Sequence, residues 1–172
     1  SEIPGIKAIW HDQKTRLKGT SQLLDFTERL SREWAIETGV IENLYEIERG
    51  VTQTLIEHGF QAELLSHGST NKPREYVLQL LRDQKEALDG VFDYVSSRRA
   101  LSVAYIKDLH AALLRSQKVT EGVDSQGHHV DIPLIKGDWK TQANYPVRDG
   151  VTYAYCAPEH VASEMDRLVA LH

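Results

Sequence analysis

The sequence predicts a mainly α-helical protein with a small β-hairpin. Before residue 120, apolar residues recur at intervals of three and four in several long stretches, the signature of one face of an α-helix. Past Thr120 that periodicity gives way to Gly, His, Asp and Pro set among short β-prone pieces. The dipeptide Asp149-Gly150 stands between two such pieces, where a two-residue turn would join them as a hairpin.

Leu23, Phe26, Leu30 and Trp34 share one helical face, so a first helix is expected over 21–38 with Thr20 or Ser21 as its N-cap. Gly39 is expected to interrupt it. Leu44, Ile47, Val51 and Leu55 repeat the spacing in a second helix, which His58-Gly59 would stop. The stretch 67–73, His-Gly-Ser-Thr-Asn-Lys-Pro, has loop chemistry, and Val77, Leu80, Leu81, Leu88, Val91, Phe92 and Val95 mark a long helix after it. Ser102 can cap a helix carrying Ile106, Leu109 and Leu113. Val130 to Ile135 reads as β-prone, and Tyr145 to Arg148 and Val151 to Tyr155 are the two arms of the hairpin. Pro158 can open a final helix with Val161, Met165 and Leu168 on one face. The natural division is an N-terminal helical region, 1–66, and a second region, 73–172, that includes the hairpin.

Composition excludes several classes of function. The chain has 172 residues, 41% of them hydrophobic, enough for a single core or one domain with a small appendage. A net charge of -5, with Arg98-Arg99 as the longest basic cluster, argues against a nucleic-acid surface. No apolar run approaches the ~20 residues that span a bilayer, so no membrane partner is expected. Cys156 is alone and cannot form an intrachain disulfide, which fits a cytoplasmic location. It reads as a small buried residue with no His base to activate it. His128-His129 with Asp131 reads as solvated loop rather than a metal site, because adjacent strand side chains diverge and no metal-ligand spacing accompanies them. His110 reads as a packing residue of its helix. Trp139 and Tyr145 suit either a peptide contact or packing on the helices. No phosphate-binding glycine motif is present.

Residues 38–43, Thr-Gly-Val-Ile-Glu-Asn, fit the pattern Ser/Thr, three residues, Glu, then Gly or Asn, and so set Glu42 just past a helix. Three further segments follow in order: Ile106 to Leu114, with an Ile-x-x-Leu-His-x-x-Leu-Leu core; Gly137-Asp138-Trp139-Lys140; and Pro158 through Met165 to Leu168. Together they resemble the Fic family of protein AMP-transferases, in the class with an N-terminal inhibitory glutamate helix. The resemblance covers most of residues 31–172. It implies a Fic-like helical bundle with a β-hairpin flap.

It also implies transfer of AMP from ATP to a hydroxyl side chain of a target protein, with Thr38, Glu42 and Asn43 as the regulatory element. Asn144, Tyr145, Pro146, Val147, Val151 and Tyr153 would form the flap that holds a target segment by strand pairing. The partners implied are that target segment and, at most, a second copy in a homodimer. The family's catalytic signature, His-Pro-Phe-x-Asp/Glu-Gly-Asn-Gly-Arg, does not occur in these residues. In the family it lies beyond the last helix found here, so the fold is expected to be incomplete at its C-terminus and the natural chain to continue. ATP and Mg²⁺ are implied only with that motif. This chain alone is expected to have no catalytic residue, no metal ligand and no activity. The alternative expectation is a helical, antitoxin-like module that inserts Glu42 into a separate catalytic subunit.

Overall fold

The computed structural model describes residues 3–124 and 126–171. These form α1 (Ile3–Arg16), α2 (Ser21–Ile41), α3 (Arg49–His58), a 3-10 turn at Ala62–Leu64, α4 (Arg74–Ser96), α5 (Val103–Leu113) and α6 (Pro158–Ala170). Between α5 and α6 lie β1 (Val119–Val123), β2 (His129–Pro133), β3 (Val147–Arg148) and β4 (Val151–Thr152). The architecture is mainly helical with small antiparallel hairpins. Two compact units, Ser1–Lys85 and Glu86–His172, divide inside α4.

In the first unit α2 begins as expected at Thr20, whose Oγ1 accepts the Leu23 amide at 3.3 Å. Its end differs. Gly39 does not interrupt the helix, which continues to Ile41 with Glu42 as its C-cap. The buried face of α2 is Ser31, Ala35, Ile36 and Gly39, whereas Phe26 and Trp34 are exposed and Leu23 and Leu30 half-buried. The small residues face inward because they admit close neighbours. The larger stripe lies outside that core, and Phe26 meets Trp10 of α1 with ring centroids 6.0 Å apart. α1 runs through Pro4 and Gly5. Proline is tolerated in a helix's first turn, where its missing N–H would have no intrahelical acceptor.

Leu44 and Ile47 do not belong to the second helix. They lie in a link before α3, where Ile47 forms an isolated antiparallel bridge with Thr70. Both still pack on the core, since burial requires only that the link cross it. Gly59 caps α3 at φ 91°, and Arg32 of α2 donates to the carbonyl of Ile56 at 2.9 Å, satisfying an acceptor at that helix end. The core of this unit is Ile36, Tyr45, Leu55, Leu65, Val77, Leu78, Leu80 and Leu81.

The second unit begins with the C-terminal half of α4. Tyr94 stacks on Tyr105 of α5 at 3.6 Å between centroids, and Arg115 holds Glu86 through two bonds of 2.6 and 3.0 Å. Ser102 caps α5 by accepting the Tyr105 amide at 3.1 Å. The pairing of β1 with β2, Val119 opposite Pro133 through Val123 opposite His129, brings in a strand that the β-prone stretch 130–135 did not announce. The carboxylate of Asp124 closes this hairpin by accepting the amides of Gln126 and His128 at 2.8 and 2.9 Å. α6 starts at Pro158 and packs against α5. No helix among the described residues is long and apolar enough to cross a membrane.

The inward face of α2 has a direct test. Ala35→Leu should destabilise the chain by about 1–3 kcal/mol through overpacking, while Leu24→Ala, on the exposed side, should change it by less than about 0.5 kcal/mol. Urea denaturation measures both, and equal effects would refute the assigned face.

Candidate functional site

The segment carrying Glu42 is a helix-terminating turn with two backbone bonds. Asn43 N–H donates to the Val40 carbonyl at 3.0 Å and Leu44 N–H to that of Gly39 at 2.9 Å. These are the two bonds of a Schellman motif, with Asn43 in the left-handed position that closes it, at φ 57°. Only Gly, and less readily Asn, adopts that conformation at low cost, so the final letter of the hexapeptide has a backbone reason. Thr38 lies in the last turn and its carbonyl accepts the Glu42 amide at 2.9 Å. The Glu42 side chain is exposed, and its carboxylate has no hydrogen-bond or ion-pair partner among the described residues.

Two residues that motif reading passes over set this turn. Tyr45, 1% exposed, occupies the space that a side chain at Gly39 would fill: a Cβ there would lie 2.1 Å from the phenol oxygen. The Tyr45 hydroxyl donates to the carbonyls of Ala35 and Ile36 at 3.3 and 3.5 Å. Burial pushes the phenol above its usual pKa, which keeps it a neutral donor. The available signal was a glycine inside a helix with a tyrosine six residues later.

In the second unit, Asp149 and Gly150, at φ 52° and 75°, make the two-residue turn between β3 and β4. Val147 lies opposite Thr152 and Arg148 opposite Val151, and Tyr153 N–H donates to the Pro146 carbonyl at 2.9 Å. The ladder is shorter than the arms Tyr145–Arg148 and Val151–Tyr155. Tyr145, Val147, Val151 and Tyr153 are exposed, as are Pro146 and Asn144, whose Oδ1 accepts from Lys140 Nζ at 2.5 Å. Cys156 is likewise exposed rather than buried, because it sits in the connection to α6 outside the packed surfaces.

The element Gly137-Asp138-Trp139-Lys140 docks on α5. Gly137, at φ 68°, approaches so closely that a Cβ would meet Ala111 Cβ at 3.0 Å and the Lys107 carbonyl at 3.1 Å. Its amide donates to His110 Nδ1 at 3.1 Å, so His110, read from sequence as a packing residue, is a hydrogen-bond acceptor for this loop. Lys107 Nζ pairs with Asp138 at 2.7 Å and stands 4.7 Å above the Trp139 ring. The Lys107 hydrogen bond, the Trp139 amide and the Lys107 charge hold the Asp138 carboxyl below its usual pKa. A cleft of about 600 Å³ opens beside this loop, lined by Ile106, Lys107, Ile132, Leu134 and Trp139 among others.

No family model, curated protein or solved structure matches the chain. The site is therefore defined by its own geometry. Thr38, Glu42 and Asn43 come together in one turn of the first unit, and the hairpin residues come together in the second. His128 faces Asp124 at 3.3 Å, and no group of three or more His, Cys, Asp or Glu suited to a metal occurs among the described residues.

Asn43→Gly should leave stability unchanged or slightly higher, while Asn43→Val should cost about 1–2 kcal/mol because a β-branched residue resists positive φ; equal urea midpoints for the two variants would contradict the turn. The Asp138 pair gives a pH dependence. Its folded pKa is depressed, so its contribution is present above the ordinary carboxylate value, about 3.9, and is lost as pH falls through the folded value. Trp139 fluorescence, read with Trp10 and Trp34 replaced by Phe, should report that acid transition. Lys107→Met should move it to higher pH, and an unmoved midpoint would rule out the pairing.

Proposed function

We propose that the chain is the regulatory, N-terminal portion of a Fic-type protein adenylyltransferase, which transfers AMP from ATP to a hydroxyl side chain of a target protein. Glu42 is its autoinhibitory carboxylate. The observation that carries this reading is the exposed Glu42 side chain at the end of a helix whose last turn is closed by a Schellman pair. The four family-like segments, in family order, support it.

On this reading ATP and Mg²⁺ belong to the signature motif rather than to residues of this chain, whose sequence holds no glycine-rich phosphate loop, and no catalytic step is assigned to it. What the chain supplies is a brake and a flap. Residues 37–48 hold four glutamates and no Lys or Arg, a local negative charge that opposes a nucleotide's phosphates and favours an arginine. In an intact site Glu42 would pair with the second Arg of the signature motif, where the γ-phosphate belongs. A desolvated Arg-carboxylate pair is a strong competitor for that place. The exposed hairpin around Asp149-Gly150 offers unpaired strand edges to an extended target segment.

A second reading is favoured by one observation: the brake lies in a compact unit with its own core. That arrangement suits a module acting on a separate catalytic subunit. The intact mass of the natural polypeptide, and the presence or absence of the His-to-Arg motif in it, separates the two.

In the full-length polypeptide, Glu42→Gly should raise ATP-dependent labelling of protein about ten- to hundred-fold, the worth of one charged hydrogen bond of about 1.5–3 kcal/mol. Unchanged labelling would remove the inhibitory role. The 172-residue chain itself should bind ATP no tighter than about millimolar. Micromolar binding in a titration would show a phosphate site that this account lacks.

A further inference from the structure

We infer that Tyr45, seated on Gly39, is the positioning residue of the Glu42 brake; the inference rests on the reading of Glu42 as inhibitory. Glu42 has no side-chain partner among the described residues, so where its side chain leaves the main chain is set by the backbone on either side of it. On the N-terminal side that backbone is the last turn of α2. On the C-terminal side only Asn43 and Leu44 separate it from Tyr45, and the two Schellman bonds hold both of these residues. Tyr45 is the first residue after the turn that is locked by packing.

That lock is specific. The phenol ring enters the helix surface at the one place where a side chain is missing, and its hydroxyl reaches carbonyls of the preceding turn. A glycine within a helix costs roughly 1 kcal/mol relative to alanine, and this one stands where alanine would collide with the ring. Beyond Tyr45 the chain is tied again. Glu46 N–H donates to Asn71 Oδ1 at 2.9 Å, Ile47 bridges Thr70, and Glu48 N–H donates to the Ser69 carbonyl at 3.0 Å. A buried ring and three tethers therefore fix the exit of the turn, as the helix fixes its entrance. The turn thus fixes where the Cα–Cβ bond of Glu42 points, without a contact of the carboxylate's own.

Two readouts on the same variants test this. In the full-length polypeptide, Gly39→Ala should displace the ring and raise ATP-dependent labelling at least about tenfold, the factor that about 1.4 kcal/mol represents. Tyr45→Phe keeps the ring on Gly39 and loses only the hydroxyl's bonds, so it should raise labelling less than Gly39→Ala does. Adding Glu42→Gly to Gly39→Ala should gain less than about twofold more, because both changes remove one interaction. Should Gly39→Ala fail to fold, Tyr45→Leu, which opens the same contact without a collision, should take its place with the same result. NMR chemical shifts of Asn43 and Leu44 in the 172-residue chain give the second readout: Gly39→Ala or Tyr45→Leu should abolish the left-handed signature of Asn43, and Tyr45→Phe should retain it.

A folded Gly39→Ala or Tyr45→Leu protein that keeps the signature, or that labels at the wild-type rate while Glu42→Gly is activated, overturns the inference. Loss of the signature together with an inert Glu42→Gly would instead overturn the inhibitory reading and leave Tyr45 as the residue that sets the turn.

Discussion

The contact between Tyr45 and Gly39 is the constraint on which the first unit depends. A buried phenol occupies space that any larger residue at position 39 would claim, and this decides three things together. It places a large ring in the core with Ile36, Leu55 and the α4 leucines. It ends α2 at a defined residue by holding the chain that returns from it. It also leaves Glu42 at the outer side of that return, exposed and unpaired among the described residues. Packing, chain direction and presentation of the carboxylate have one cause.

The second unit uses a glycine in a comparable way. Gly137 has a positive φ and no room for a Cβ, and its amide donates to His110 while Lys107 is held by Asp138 above Trp139. The loop leading toward the exposed hairpin is thus fastened to α5 by backbone proximity and one cationic side chain. The surface pairs contribute little individually, since exposed ion pairs are typically worth under about 1 kcal/mol. The close approach that glycine permits is what fixes the loop. In both units an exposed segment lies next to a close approach that only a glycine permits, Tyr45 on Gly39 of α2 in the first and Gly137 on α5 in the second.

Much of the helical framework was legible. Helix starts at Thr20, Ser102 and Pro158 follow from side-chain caps and from the fixed φ of proline, which are local properties. The two-residue hairpin turn was legible for the same reason. What misled was anything decided by distant packing. Gly39 reads locally as a helix breaker, but its partner is Tyr45. Leu44 and Ile47 carry a helical spacing, but Leu44 belongs to the turn that leaves α2 and Ile47 bridges Thr70. The large stripe Leu23, Phe26, Leu30 and Trp34 marks the helix but does not reveal its buried face, which Ser31, Ala35, Ile36 and Gly39 form. The strand β1, with Gly122 at its centre, declares itself only through its partner β2. Of the site, Glu42 and Asn43 were visible as a motif, whereas the roles of Tyr45 and Lys107 required the fold.

Inhibition by Glu42 would depend on one turn. If Glu42 is a preformed brake, its turn must exist before any partner or nucleotide arrives, because an ordering cost at the moment of inhibition would subtract from the strength of the block. Residue-resolved amide hydrogen exchange on the wild-type chain measures this directly. The account expects the Asn43 and Leu44 amides, donors of the two Schellman bonds, to exchange as slowly as those of the preceding helical turn. Exchange of both at the rate of an open, solvated loop would contradict it.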